Sequence, residues 1–170
     1  MGQEQEYIIH DENNIKGLFG TFKYLSNFEE CDIYFDGNLY GSSEAAYMSG
    51  KTIDPNIRKL FFKNTGIKPK EARKLGRSIE LRYDWDLVRY DHMAAVVFDK
   101  FARNKDLREK LLFTNNKYIE ETNHWGDVYF GVCNGIGKNV LGRILMSVRE
   151  FWKEKDRGEI KIKTRVEPLF

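Results

Sequence analysis

The segment from about residue 84 to residue 104 constrains the fold of this chain more than any other part of the sequence. Its apolar residues follow helical spacing but cover more than one stripe of the helix surface: Trp85, Val88, Met93, Val96, Val97 and Phe101. A helix that packs on one side shows a single apolar stripe, so a wider apolar surface requires neighbours on several sides. We therefore predict that this helix, the longest in the chain, lies at the centre of the domain.

Shorter helices are predicted on both sides of it, from capping residues and from helical spacing of apolar residues. One runs from about residue 44 to residue 51, with Ser42 or Ser43 as its N-cap. A second starts at Asp54-Pro55, an N-cap followed by proline at the first helical position, and ends near Gly66. Others are predicted over residues 69–77 and 107–113, and a last one begins near Asn139.

Strands are predicted to be few and short. Residues 31–36 and 39–40 form two of them around a tight Asp36-Gly37-Asn38 turn, and residues 7–9 form another. Residues 13–20 are predicted to be a loop. The sequence thus predicts an α+β fold, a single helix-rich domain with a small sheet of short strands. The domain spans residues 7–156, after a disordered N-terminus at 1–6 and before a tail or edge strand at 157–170.

Composition excludes several classes of protein. The 170 residues include 28 Lys and Arg against 26 Asp and Glu, a net charge of +2, which is too small for tight sequence-independent binding to a phosphate backbone. Cys31 and Cys133 lack metal-ligand spacing, and no signal peptide precedes them, so we expect reduced thiols and a cytoplasmic protein. The three histidines share no metal-binding spacing, and no segment is apolar enough to cross a membrane. We therefore expect neither a metal nor another cofactor, and no membrane partner.

The first candidate functional segment is the predicted helix after Ser42. Glu44, Tyr47, Met48 and Lys51 fall on one of its faces, because residues three and four apart are neighbours on a helix. A carboxylate, an aromatic ring and an amine on one face can act as an acid, a stacking surface and a nucleophile. In the alternative interpretation, Glu44 only favours the positive end of the helix and Lys51 is solvated.

The second candidate is residues 124–131, in which two glycines bracket an acid and three aromatic residues. Such a loop suits a binding wall where the backbone comes close to a ligand. The alternative is a tight turn with Trp125 folded onto the core. Both interpretations are open at the level of the residues alone.

The third candidate is basic or glycine-rich sequence that can hold phosphate. Residues 135–139 read Gly-Ile-Gly-Lys-Asn before a predicted helix, so free backbone N–H groups and the helix dipole favour an anion there. The spacing is not that of a P-loop, and a connection without a ligand is the alternative. Four further basic residues can contact phosphate or form a solvated helix end; they are Arg73, Lys74, Arg77 and Arg82.

These segments together resemble the NADAR (YbiA-like) family, in the expected order from about residue 19 to residue 149. The matching motifs are Phe19-Gly-Thr-Phe22, Leu25-Ser-Asn-Phe28, Asp36-Gly37, Ser42-Ser-Glu44, Tyr47, Lys51, Lys74-Leu-Gly-Arg77, Leu81-Arg82, Asp84-Trp-Asp86, Met93, Trp125-Gly-Asp127, Gly137, Asn139 and Leu141-Gly-Arg143-Ile-Leu-Met146. Two positions depart from the family pattern. Ala45 stands where His is common, and Phe130 stands where a second Trp is usual.

The resemblance implies an N-glycosidase, a hydrolase that cleaves the bond between C1 of a phosphorylated ribose and an exocyclic nitrogen. The implied substrates are ADP-ribosyl-guanine in DNA or RNA, or a ribosylamino-pyrimidine phosphate of riboflavin biosynthesis. The implied catalytic residues are Glu44, Lys51 and Asp127. The implied substrate-binding residues are Asn27, Ser43, Tyr47, Arg77, Trp125, Gly126, Gly137, Lys138, Asn139 and Arg143.

Two other functions are open. A non-catalytic module that binds ADP-ribose or another nucleotide would keep the aromatic walls and the glycine-rich loop but would need neither Glu44 nor Lys51. A nucleic-acid-binding protein would use exposed aromatic residues and the tail charges Lys161, Lys163 and Arg165, although the near-neutral charge balance opposes it. The sequence indicates no oligomeric state.

Overall fold

The computed structural model describes residues 9–160. Within that range the α-helices alternate with short 3-10 turns and short strands. The helices are α1 (Ser43–Ser49), α2 (Pro55–Arg58), α3 (Pro69–Ser78), α4 (Trp85–Arg103), α5 (Lys105–Phe113) and α6 (Val140–Asp156). The strands are β1 (Ile9–His10), β2 (Asn14–Lys16), β3 (Glu30–Phe35), β4 (Asn38–Ser42), β5 (Tyr118–Glu120), β6 (Thr122–Asn123) and β7 (Val132–Cys133).

The strands belong to three small sheets in this part of the chain. β2 lies between β1, to which it is antiparallel, and β5, to which it is parallel. β3 and β4 form an antiparallel hairpin, and β6 pairs with β7 in parallel. The predicted α+β fold, helix-rich with short strands, is confirmed.

The central position predicted for the longest helix is also confirmed. α4 packs against the β3–β4 hairpin, α1, α5 and α6. Val96 and Phe101 are fully buried, Met93 is nearly so, and Val88 is partly buried. The wide apolar surface of this helix therefore reflects neighbours on several sides, as its sequence indicates.

The β3–β4 hairpin has the predicted turn. Asp36 and Gly37 both take left-handed backbone conformations, with φ of 46° and 79°. Two consecutive residues with positive φ define the turn type whose twist matches paired strands, and Asp-Gly is a preferred sequence for it. The hairpin leads directly into α1, so it sets where that helix starts.

The second predicted helix begins at Asp54 as expected but does not continue to Gly66. Asp54 caps α2, which lasts only to Arg58 and is followed by two 3-10 turns, Lys59–Phe61 and Lys63–Thr65. Between these turns Phe62 is extended, with ψ of 151°. An unbroken helix would hold adjacent side chains about 100° apart around its axis. The break instead lets Phe61 reach the core while the ring of Phe62 packs edge-on against Tyr40, 5.6 Å away.

The loop predicted over residues 13–20 is wrong for residues 14–16, which form β2. Ile15 is fully buried and pairs with Ile119 of β5. A three-residue strand of this kind depends on a partner far along the chain, so local sequence does not reveal it. The predicted N-terminus at 1–6, the strand residues Tyr7 and Ile8, and residues 161–170 of the predicted tail lie outside the described residues.

Candidate active site

A polar cavity of about 400 Å³ opens between α1, α3, α4 and the segment from Glu121 to Phe130. Its walls combine carboxylates, basic side chains and aromatic rings. The lining residues are Ser26, Asn27, Glu44, Tyr47, Met48, Lys51, Arg73, Arg77, Trp85, Arg89, Met93, Glu121, Trp125, Gly126, Asp127, Phe130 and Leu141. This volume lies in the range of small-molecule sites. The cavity contains the three predicted catalytic residues and five of the predicted binding residues.

Glu44 lies at the first turn of α1 and is held there by local hydrogen bonds. The Oγ atom of Ser42 caps the helix by accepting from the Ala45 backbone N–H at 3.1 Å, and the Glu44 N–H donates to the Asn27 carbonyl at 3.0 Å. Glu44 itself is only 2% exposed. Its carboxylate accepts a hydrogen bond from Nε of Arg73 at 3.1 Å. Burial raises the pKa of Glu44, and the positive charge of Arg73 opposes that rise.

Arg73 connects this buried carboxylate to the aromatic rim of the cavity. Its guanidinium lies 4.2 Å from the ring centroid of Phe28 and 5.7 Å from that of Trp125. Aromatic faces attract a guanidinium, so the two rings help to hold Arg73 against Glu44. Trp125 is 40% exposed, which leaves much of its surface available to a ligand.

Lys51 follows α1 and is partly buried in the same cavity. Its Nζ atom donates to the carbonyl of Gly76 on α3, at 3.2 Å. Burial lowers the pKa of Lys51, and the nearby charges of Arg77 and Arg73 lower it further, whereas Glu44 acts in the opposite direction. A lysine with a lowered pKa holds more of its amine in the neutral, nucleophilic form.

Asp127 lines the cavity but also builds the loop that carries it. Its Oδ1 atom accepts from the backbone N–H groups of Tyr129 at 3.1 Å and Phe130 at 2.9 Å. Its own backbone is held by the side chain of Asn123, which accepts from the Asp127 N–H at 3.1 Å and donates to its carbonyl at 2.7 Å. The predicted Trp125-Gly126-Asp127 wall is therefore a fixed loop, in which Gly126 has φ of 87°.

The aromatic floor of the cavity is formed around Tyr47. Its ring centroid lies 5.1 Å from Trp85 and 5.5 Å from Phe130. Phe130, the residue that departs from the family pattern, therefore still supplies a ring at this position. Asn27 contacts the same region, because its Nδ2 atom donates to Sδ of Met93 at 3.3 Å. Its Oδ1 atom is buried without a hydrogen-bond partner.

Basic residues line the cavity on two sides. Arg73 and Arg77 come from α3, and Arg89 comes from α4, where its guanidinium lies 3.9 Å from the ring centroid of Tyr129. Lys74 and Arg82, also considered as phosphate contacts, are not among the lining residues. Arg82 instead forms an ion pair with Asp84, with Nη2 donating to Oδ2 at 2.9 Å.

Five predicted binding residues lie outside the cavity lining: Ser43, Gly137, Lys138, Asn139 and Arg143. Ser43 is fully buried, whereas Arg143 is exposed on α6. Lys138 lies over the ring of Tyr129, with 5.6 Å between Nζ and the centroid. Gly137 packs so closely on Gly131 that a side chain would collide with its carbonyl oxygen. Gly137 thus allows close backbone packing, whereas Gly135 faces open space. The phosphate contacts proposed for this loop stay a prediction.

Asn139 is buried where the loop meets α6 and holds the neighbouring strand in place. Its Nδ2 atom donates to the Ile119 carbonyl at 2.8 Å and to the Tyr118 hydroxyl at 3.1 Å. Its Oδ1 atom accepts from the Glu121 backbone N–H at 3.1 Å. With φ of 50°, it is also in a backbone conformation that asparagine tolerates better than most residues.

Replacing Asn139 with Ala is expected to lower the free energy of unfolding by about 2–4 kcal/mol, because buried donors and acceptors lose their partners. Urea denaturation measures the change. Asn115→Ala is the matched control, since Asn115 has φ of 53° but is exposed. That control should cost only about 1 kcal/mol, from the left-handed backbone. Equal losses in the two variants would contradict a role for the Asn139 side-chain hydrogen bonds.

Glu121 is a cavity residue that the sequence analysis missed. It follows β5, lines the cavity, and has a buried Oε2 atom that finds no hydrogen-bond partner among residues 9–160. Burial, with the charges of Asp127 and Glu44, raises its pKa to about 8, and Arg73 opposes this. The available signal was the pair of glutamates before the Trp125 loop. Adjacent residues of an extended chain point to opposite sides, so only one glutamate of the pair can face the cavity. The side chain of the other, Glu120, accepts a hydrogen bond from the Thr122 hydroxyl at 2.8 Å.

Two classes of feature are absent from the described residues. Between residues 9 and 160, no helix is long and apolar enough to cross a membrane. The same range contains no group of three or more His, Cys, Asp and Glu residues placed to hold a metal ion.

Comparison with known proteins now identifies the family. A profile described as the NADAR domain matches residues 11–153. The chain belongs to the NADAR family. The solved structure of YbiA from Escherichia coli has the same fold, with a TM-score of 0.75 and 26% identity, and the match covers 94% of this chain and 96% of that one.

Named NADAR relatives support the predicted enzyme class. An N-glycosidase of Nostoc punctiforme is 37% identical over 138 residues, which cover 78% of this chain and 85% of the relative. N-glycosidase YbiA of Escherichia coli K12 is 34% identical over 78% of this chain and 81% of its own length. A riboflavin biosynthesis protein of Vibrio vulnificus is 34% identical over 77% of this chain, but the match spans only 36% of that protein. These names place this NADAR chain among the hydrolases, as the sequence predicted.

Proposed function

We propose that this NADAR chain hydrolyses the bond between C1 of a phosphorylated ribose and an exocyclic nitrogen. The observation that carries the proposal is the pairing of Glu44 and Lys51 in one cavity, where burial raises the pKa of the acid and lowers that of the amine. Both shifts favour neutral forms, which are the forms that donate a proton and attack carbon. A module that only binds a nucleotide would need neither group.

The first chemical stage is opening of the ribose ring. The lone pair of the exocyclic nitrogen forms a C=N bond to C1 as the bond between C1 and the ring oxygen breaks. That oxygen takes the proton of Glu44, which leaves Glu44 as a carboxylate able to accept a proton from Lys51. The amine of Lys51 then adds to C1. Departure of the exocyclic amine leaves a Schiff base between Lys51 and the sugar.

Water completes the reaction by adding to the Schiff-base carbon. The C–N bond to Lys51 then breaks, so the sugar leaves as an aldehyde and the lysine amine is restored. Glu44 accepts protons from Lys51 and returns them as the intermediates form and collapse. The net reaction consumes one water and releases the amine and the phosphorylated ribose.

Recognition groups are assigned by their place in the cavity. Arg77 of α3 and Arg89 of α4 line the cavity and supply positive charge for phosphate oxygens. Trp125 and Tyr47 supply rings against which the ribose or the base packs. Asp127 uses Oδ1 to fix its loop, and its carboxylate faces the cavity to orient ribose hydroxyls or water.

A mass-spectrometric hydrolysis assay with two substrates side by side tests this function. One substrate is the ribosylamino-pyrimidine phosphate of riboflavin biosynthesis, and the other is a guanine-ADP-ribosylated oligonucleotide. The name of the Vibrio relative and the net charge of +2 favour the pyrimidine phosphate, so its cleavage is the expected result. Release of ADP-ribose with restored guanine would instead assign the enzyme to modified nucleic acid. Failure on both substrates, with ADP-ribose still bound, would support the binding module.

A further inference from the structure

Glu121 has features of a functional group that the proposed mechanism does not yet use. It lines the same cavity as Glu44 and Lys51, yet its Oε2 atom is buried and has no hydrogen-bond partner in the part of the chain that the structure describes. Leaving a buried polar atom unpaired costs stability, because the desolvation of that atom is not compensated. A carboxyl kept in this state facing a cavity is well placed to interact with a bound ligand.

The backbone around Glu121 is fixed on both sides. Its N–H donates to Oδ1 of Asn139 at 3.1 Å, and its carbonyl accepts from the Val132 N–H at 2.9 Å. Gly131 packs against that carbonyl so closely that a side chain there would collide with it. The backbone that carries the Glu121 side chain at the cavity wall is therefore fixed on both sides.

The two buried carboxyls of the cavity have different surroundings. Glu44 accepts a hydrogen bond from Arg73 at 3.1 Å, which stabilises its negative charge directly. The Oε2 atom of Glu121 has no such donor. Paired carboxyls in unlike environments commonly divide the roles of base and acid.

We propose that Glu121 is a further catalytic residue, the acid that protonates the departing exocyclic nitrogen. The inference rests on the proposed function. As the C1–N bond breaks, its electron pair moves onto nitrogen, and the Oε2 proton of Glu121 joins that nitrogen so that the amine leaves neutral. Glu121 becomes a carboxylate, and the later addition of water to C1 returns a proton to it. Asn139 acts here as a positioning residue, since its side chain accepts a hydrogen bond from the backbone N–H of Glu121.

The charged groups that face Glu121 determine the pH range in which it can act. Asp127 and Glu44 are acidic and disfavour its ionisation, whereas Arg73 favours it, and burial is the largest influence. The resulting pKa of about 8 keeps the acid protonated at neutral pH. Because a proton donor is active only while protonated, its contribution should be lost as the pH rises through about 8.

Steady-state hydrolysis of the ribosylamino-pyrimidine phosphate across pH 6 to 9.5 tests the inference. Glu121→Gln is expected to reduce kcat by about 10²–10³-fold with little change in KM, and the decline of wild-type kcat at alkaline pH should disappear in the variant. In Glu121→Ala, added formate should restore turnover by at least about tenfold, since a small acid can occupy the vacated space. Glu120→Gln is the matched control, because Glu120 contacts Lys16 and Thr122 outside the cavity lining and should keep wild-type kinetics.

The outcomes separate this inference from the function on which it rests. A wild-type enzyme that cleaves neither substrate would overturn the proposed function and the donor role together. An active wild type with an equally active Glu121→Gln variant would overturn the donor role alone. A third pair of results would also overturn the donor role: formate fails to restore activity in Glu121→Ala, and the alkaline decline is unchanged in Glu121→Gln. Together these results would indicate a purely structural glutamate.

Discussion

Glu44→Gln is expected to lower kcat by about 10³-fold or more and to leave ligand affinity largely unchanged. Glutamine has nearly the same shape but cannot exchange protons with Lys51 or the substrate. The Kd of a ligand is expected to change little, because Arg77, Arg89 and the aromatic rings remain in place. The measurements are turnover by mass spectrometry and calorimetric binding of ribose 5-phosphate.

Folding has to be controlled for in this variant, because Glu44 is the buried partner of Arg73. Removing one member of a buried ion pair destabilises a protein even where no chemistry is lost. Circular dichroism and urea denaturation establish the folded fraction at the assay temperature. Glu80→Gln, on an exposed glutamate after α3, is the matched control and should retain activity. Full activity in a folded Glu44→Gln enzyme would refute its assignment as the acid and base.

Borohydride reduction during turnover is expected to link the sugar covalently to Lys51. The reagent converts a Schiff base to a stable secondary amine, so peptide mapping should find the reduced ribose phosphate on that lysine alone. Lys51→Arg should yield no adduct and lose at least about 10³-fold in kcat, because a guanidinium stays protonated and is not a nucleophile. Lys70→Arg, on an exposed lysine of α3, should react as the wild type does.

The amine of Lys51 also predicts the acidic side of the pH profile. Burial lowers its pKa, and an amine attacks only when neutral, so activity should rise as the pH rises through that lowered pKa. The buried acids act in the opposite sense at alkaline pH, which gives a bell-shaped profile. Active enzyme that repeatedly forms no adduct would favour a direct route, in which carboxylates stabilise an oxocarbenium ion and Lys51 acts only through its charge.

Much of the helical fold was predictable because its signals are local. Ser42 and Asp54 cap helices where the sequence places them, and the Asp36-Gly37 turn closes its hairpin. β2, β5, β6 and β7 were not predicted, since strands of two or three residues are specified by partners elsewhere in the chain. The break at Phe62 was missed for a similar reason, because it depends on contact with Tyr40.

The site was predictable where its residues share one element or one motif. Glu44 and Tyr47 line the cavity together because helical spacing brings them to one face of α1, and Lys51 joins them from the turn that follows the helix. Lys138 and Asn139, predicted as phosphate contacts from their glycine-rich segment, lie outside the cavity lining, and their predicted role stays a prediction. The sequence places Glu121 in a pair of glutamates before the Trp125 loop, but it does not show which of the two faces the cavity, because the backbone there is held by Val132 and by Asn139 at the start of α6, further along the chain.

That dependence on α6 also orders the assembly of the enzyme. Glu121 is held by Asn139, and Leu141 from the first turn of α6 completes the cavity wall. Asn139 and Leu141 lie far from α1 along the chain. The contacts that bring them to the cavity form late, because a long loop must close first. A nascent chain that has emerged only through α5 therefore already contains Glu44 and Lys51, yet it has no finished cavity. Catalytic competence arrives with the docking of the last helix, so activity itself can serve as a reporter for the final step of folding.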